Sequence, residues 1–149
     1  MASMERIPAN VVRALLARGG PGRIGMSANA LPAVLPTNFV YLGGSIVCAT
    51  EDDSVARAGE QAAVLAFSAD EIDPEGRWQW HAHAVGKTET VTDDNERADL
   101  AMLGLLPPGA HHPAHYIRLQ PEILTGSQFA TRIPTELERA SESDPTRAD

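Results

Sequence analysis

Lysine is almost missing from this sequence: of twelve basic residues only Lys87 is a lysine, and the rest are arginine. Twenty acidic residues outnumber them and leave a net charge of −8. A chain that grips phosphate backbones or anionic lipid needs clustered Lys and Arg, so nucleic acid and membrane surfaces are excluded as expected partners. Cysteine occurs once, at Cys48. That excludes an internal disulfide and a cysteine-based zinc cluster. Cys48 sits in the run Ser45-Ile46-Val47-Cys48-Ala49-Thr50, which reads as a buried strand, and no neighbour in that run would lower its pKa. It is expected to be a core thiol rather than a nucleophile. No apolar run approaches the roughly 20 residues of a membrane helix. The first ten residues contain no apolar core of a secretion signal, so a cytoplasmic location is expected.

What is present is ordinary for a globular chain: 149 residues, 43% hydrophobic and 21% charged, enough for one domain and one core. Pro8 to Ala17 has the apolar spacing of a short helix, with Asn10 as its expected N-cap and Gly19-Gly20 as its stop. Strands are expected over Gly22–Ser27, Ala33–Tyr41 and Ser45–Thr50, with turns at Asn29-Ala30 and Gly43-Gly44. Ser54 is expected to cap a helix running to about Arg57, with Gly59 as its stop. Val64 to Ala69 reads as a strand buried on both faces, and Asp70 to Gly76 as a loop. Trp78 to Val91 reads as a long strand, with Trp78, Trp80, Ala82 and Ala84 on one face and Gln79, His81, His83 and Val85 on the other. Helical spacing returns over Asp93 to Leu106, capped by Thr92 or Asp93, with Ala98, Ala101, Met102 and Leu105 on its apolar face. Tyr116–Leu119 and Ile123–Phe129 read as two closing strands. The expected fold is mainly β: a six-stranded antiparallel split β-barrel with two or three short helices, a sandwich being the competing arrangement. The expected domain is residues 1–132, followed by an acidic tail over 133–149 whose composition predicts disorder.

The order of short motifs carries further information. Gly22-Arg23-Ile24-Gly25-Met26-Ser27 leads to Leu35-Pro36-Thr37-Asn38-Phe39-Val40, then to Gly43 to Thr50, Val64-Leu65-Ala66-Phe67, Trp80 to Gly86, and His115 to Gly126. From Val11 to Phe129 this series resembles the pyridoxamine 5′-phosphate oxidase-like, or flavin-reductase-like, FMN-binding split barrels. The resemblance implies a homodimer with cofactor sites at the subunit interface and a small-molecule ligand. It implies FMN, the deazaflavin F420 or haem as cofactor, or none, and with a flavin an oxidoreductase activity. Residue by residue, Pro36, Thr37, Asn38 and Phe39 would flank the isoalloxazine, and Thr50 and Ser54 would sit at the phosphate. Trp80 would lie near the site. Arg23 and Arg57 are the candidate cations. Trp78, Trp80 and the alanines beside them would supply the apolar face of the dimer.

The same resemblance exposes a departure. In the family the loop after the third strand runs from Thr through a Gly-containing turn to Ser-Lys, so that a helix N-terminus, a hydroxyl and a lysine neutralise the phosphate. Here the loop is Thr50-Glu51-Asp52-Asp53-Ser54-Val55, with Val55 at the lysine position and three carboxylates before it. Val55→Lys, with Asp53→Gly beside it, is therefore expected to restore a phosphate contact. The alternative function is a split-barrel dimer that has lost flavin and serves as a binding or accessory protein. A further alternative is haem or metal held by the five histidines, of which His81 and His83 share a strand face and His111, His112 and His115 share a loop. No catalytic acid or base and no metal site is assigned.

Overall fold

A computed structural model describes residues 4–110 and 115–130. His111, His112 and the whole of the acidic tail lie outside the described residues, as does the domain boundary at 132. Six antiparallel strands close into a ring: β2 (Gly20–Ala28), β3 (Leu31–Leu42), β4 (Ser45–Thr50), β5 (Val64–Ile72), β6 (Trp78–Thr90) and β7 (His115–Ala130). The order around the ring is β7-β4-β3-β2-β5-β6, and β6 pairs back onto β7. A two-residue strand, β1 (Glu5–Arg6), adds to the far end of β7 through Glu5 opposite Gln128. The expected six-stranded barrel is therefore present, with one short extra strand.

Two hairpins follow from local turn chemistry. Asn29 and Ala30 take φ of 52° and 62° between β2 and β3, and Gly43 and Gly44 take 59° and 81° between β3 and β4. Two successive left-handed residues match the twist of an antiparallel pair. The glycines do this without steric cost, whereas Ala30 does it against the preference of its Cβ.

Alternation then decides which side chains fill the barrel. Ile24, Phe39, Ile46, Cys48, Leu65, Phe67, Ala82, Ala84, Ile117 and Leu119 form the interior, joined by Val12 and Leu16 of α1 (Ala9–Leu16) and by Val55 and Ala58 of α2 (Asp53–Glu60). Phe39 and Phe67 meet edge to face with centroids 4.8 Å apart. The reverse side of β4 and β7 packs under α3 (Asp94–Met102) and the turn after it, where Val47, Ala49, Val91, Leu100, Leu105 and Tyr116 make a second cluster. Every residue of β4 is consequently buried. Cys48 is in the core as expected, and burial pushes its thiol up to about 12 against a smaller opposing pull from Thr37.

Several sequence expectations are corrected. The two closing strands are one, β7, because Pro121 sits at a bulge where Val85 faces Ile123 and Gly86 faces Pro121, leaving Glu122 unpaired. β5 is buried on one face only, with Leu65 and Phe67 inside and Val64 54% exposed. It runs on through Ile72, so Asp70 lies on a strand rather than in a loop. The N-cap of α1 is Pro8, with no side-chain cap bond, so Asn10 lies inside the first turn. Asp52, not Ser54, caps α2, and that helix continues through buried Gly59, whose Cβ would stand 2.7 Å from Ile117 Cδ1. Asp93 does cap α3, its carboxylate accepting from the Glu96 N–H at 2.9 Å. Yet Leu100 is the buried residue of that helix, while Met102 is 87% exposed. Finally, Ala82 and Ala84 face the interior, so they cannot supply a dimer surface. The outward residues of β6 are Gln79, His81, His83 and Val85, followed by Lys87 and Glu89. Among the described residues, no helix is long and apolar enough to cross a membrane.

Candidate functional site

Register brings four expected site residues to one place. On the outer face of the barrel Arg23 of β2 stands opposite Pro36 of β3 and Ser68 of β5, while Pro21 stands opposite Asn38. These strands floor a groove of about 710 Å³ lined by Arg23, Pro36, Thr37 and Asn38, together with Asp70, Ile72, Gln79 and Pro108. Pro108 arrives from the turn beyond α3, and Asn38 fastens that turn by donating from Nδ2 to the Leu106 carbonyl at 2.9 Å. Thr37 is buried, and its hydroxyl donates to the Ala49 carbonyl at 3.0 Å, which ties β3 to β4. Arg23 is exposed at the groove, and among the described residues no ion pair engages it.

The other expected residues lie elsewhere. Phe39 and Trp80 line a smaller cavity of about 260 Å³ beneath α1. It shares Pro21, Ala69 and Asp70 with the groove. Trp80 is anchored by its indole N–H, which donates to Gln128 Oε1 at 3.1 Å. Ser54 and Arg57 line a third hollow of about 440 Å³, away from Arg23 and Asn38, beside Met26 and Asn29 at the end of β2. Thr50 is buried, and its hydroxyl accepts from the Asp52 N–H at 3.0 Å. The expected set is thus divided among three hollows, with Arg23, Pro36, Thr37 and Asn38 sharing the groove and buried Thr50 lining none of them.

Asp70 and Gln79 are groove residues that sequence reasoning missed. Asp70 Oδ1 accepts from His81 Nδ1 at 2.8 Å and from Gln79 Nε2 at 3.2 Å. All three point outward from a hairpin in which Asp70 and His81 are direct partners. With Asp70 ionised, that bond requires the proton on Nδ1, so a neutral His81 presents Nε2 as its acceptor. A period of two puts Ser68, Asp70 and Ile72 on one face of β5, but only the pairing with β6 brings Asp70 and Gln79 to the groove. His81 and His83 lie ring to ring, 6.5 Å apart and 17° from parallel. Among the described residues, no group of three or more His, Cys, Asp or Glu side chains could hold a metal ion.

Comparison with known proteins accords with this geometry. The chain is 29% identical over 118 residues to a Mycobacterium tuberculosis (strain ATCC 25618 / H37Rv) protein bearing the name uncharacterized protein Rv0080, a match covering 75% of this chain and 76% of that one. It superposes on the FAD binding protein from Mycobacterium smegmatis with a TM-score of 0.67 at 25% identity, covering 85% of this chain and 98% of the other. A FAD-binding protein from Mesorhizobium loti shares the fold at a TM-score of 0.69 and 16% identity, covering 89% of this chain and 100% of its own. Residues 8–128 match the pyridoxamine 5′-phosphate oxidase family, and the chain belongs to it.

Proposed function

We propose that this protein is a flavin-dependent oxidoreductase acting on a small molecule, with the flavin ring in the Arg23–Asn38 groove and a homodimer as its working form. The observation that carries this reading is the convergence of Arg23, Pro36, Thr37 and Asn38 on one outer-face groove. At about 710 Å³ it falls within the usual size of a small-molecule site. Its lining suits a planar heteroaromatic ring. Pro21, Pro36, Ile72 and Pro108 offer apolar contact, while Arg23, Asn38 and Gln79 offer polar groups for an edge. The FAD-binding relatives support a flavin as the ligand. A bound flavin supplies hydride and electron transfer, and the protein supplies position and electrostatics.

The residues of this chain would act as holders. Arg23, which makes no ion pair among the described residues, would place a cation beside a bound ring in the groove that also holds the Asp70 carboxylate. The Asn38 bond to Leu106 keeps Pro108 over the groove and limits access of water. The homodimer reading rests on the outer face of β5, β6 and β7, which carries Val85 and Ile123 as direct partners with Ile123 53% exposed. A second copy on that face would cover them and wall the groove. The test is the absorption spectrum and sedimentation of the full chain after incubation with FMN and with FAD. A yellow dimer is expected. A colourless protein that leaves both flavins free would overturn the flavin reading.

A further inference from the structure

The N-terminus of α2 is the place where the family resemblance puts a flavin phosphate, and in this chain a side chain already fills it. Asp52 Oδ1 accepts from the backbone N–H of Ser54 at 2.9 Å and of Val55 at 3.1 Å. The Asp52 N–H in turn engages the Thr50 hydroxyl at 3.0 Å. Val55, where the family has lysine, is wholly buried in the barrel core and cannot be read as a surface position that merely lost its charge. The N–H pair of the phosphate seat is therefore taken by Asp52, and the lysine position is a core valine. Glu51 and Asp53 flank the loop and are both exposed. A phosphate dianion brought here would have to displace the Asp52 carboxylate or lie against it, and like charges at close range repel strongly. Arg57, one turn along α2, lines the same hollow as Ser54, but it does not displace the Asp52 carboxylate from the two N–H groups.

We propose that Asp52 is a resident carboxylate that closes the α2 N-terminus to a phosphomonoester, and so determines which flavin this chain takes. The ligand is a flavin held through its ring and sugar-alcohol chain, and the terminal phosphate of FMN adds nothing to its binding. This rests on the flavin reading above. It makes Asp52 a specificity determinant rather than a catalytic residue.

The test is fluorescence titration of the full chain with FMN and with riboflavin, which lacks the phosphate, in wild type, Asp52→Gly and Asp52→Asn. In wild type the two Kd values should agree within a few-fold. Asp52→Gly frees both N–H groups and removes the charge, and glycine is tolerated at an N-cap. It should move the ratio toward FMN by about tenfold or more, the size of a charge-assisted hydrogen bond. Asp52→Asn keeps a capping oxygen and loses only the charge, so it should give a smaller shift in the same direction. Riboflavin affinity should stay level throughout. If Asp52→Gly does not fold, the asparagine variant carries the comparison. A wild type that binds FMN tenfold tighter than riboflavin, or variants with an unchanged ratio, would overturn the proposal while leaving the flavin reading standing. A protein that binds neither of these, nor FAD, would overturn both.

Discussion

Gly86 of β6 passes the Gln120 carbonyl of β7 with no room for a side chain. A Cβ at Gly86 would stand 2.6 Å from the Gln120 carbonyl carbon and 3.2 Å from the Pro121 Cα. Both neighbours are backbone, so neither can rotate away. This contact sits at the bulge that carries β7 past Pro121 without breaking the β6–β7 seam. Gly86→Ala should therefore cost about 3 kcal/mol or more, at or beyond the upper end of overpacking. Gly25→Ala is the control, because its Cβ would meet only the Ala66 Cβ at an ordinary 3.4 Å. Urea unfolding of both variants checks the contrast, and equal midpoints would refute it.

Val55→Lys is expected to damage the protein rather than repair a phosphate site, reversing the sequence expectation. The side chain of Val55 is 0% exposed and packs with Leu16, Ala58 and Ile117 in the barrel interior. An ammonium there lacks a carboxylate partner, and an uncompensated buried charge costs roughly 3–5 kcal/mol. A fall in melting temperature without a gain in FMN affinity is the expected pair of results. A stable variant with tighter FMN binding would show that the lysine reaches solvent at the loop.

What the sequence revealed was mostly local. The turns at Asn29-Ala30 and Gly43-Gly44, the cap at Asp93 and the burial of Cys48 each follow from a few neighbouring residues. The α2 cap was misread because Asp52, Asp53 and Ser54 can all cap a helix, and only the backbone angle at Asp52 chooses among them. The continuity of β7 was hidden by Pro121, a residue that normally ends a central strand unless a bulge accommodates it. Arg23, Pro36, Thr37 and Asn38 could be named through the resemblance. Asp70 and Gln79 could not, because their place in the groove depends on the register of β5 against β6, and a one-residue slip would send them inside.

Alkaline pH should weaken the fold through Cys48. Its thiol is pushed up to about 12 by burial, from an ordinary value of 9.0. Below pH 9 both folded and unfolded forms hold the proton, and the full stability is present. Above that the unfolded chain loses its proton first, so stability falls as pH rises toward 12. Tyr116, raised by burial against a smaller opposing effect of Arg97, adds to the loss in the same direction. Cys48→Ala should lower stability at neutral pH through a small cavity yet flatten the alkaline decline. Melting temperatures measured across pH 8 to 11 decide the matter, and parallel curves for the two proteins would exclude Cys48 as a source. Thiol reagents at neutral pH should label Cys48 only when the protein unfolds.

The proposed dimer makes a direct prediction about the outer face of β6 and β7. Ile123 is 53% exposed and stands opposite Val85 on the outer side of β6 and β7. In an isolated subunit a charge there meets water, so Ile123→Glu should change monomer stability by no more than about 0.5 kcal/mol. Against a second copy the same carboxylate would be buried at an apolar contact without a partner, which an interface does not tolerate. Wild type should sediment at twice the 15.9 kDa chain mass at micromolar concentration, and Ile123→Glu at the mass of one chain. If the groove is walled by the second copy, flavin affinity should fall together with dimerisation, although Ile123 does not line the groove. A variant that remains dimeric would place the interface elsewhere. A monomeric variant with unaltered flavin affinity would show that one subunit holds the ligand alone.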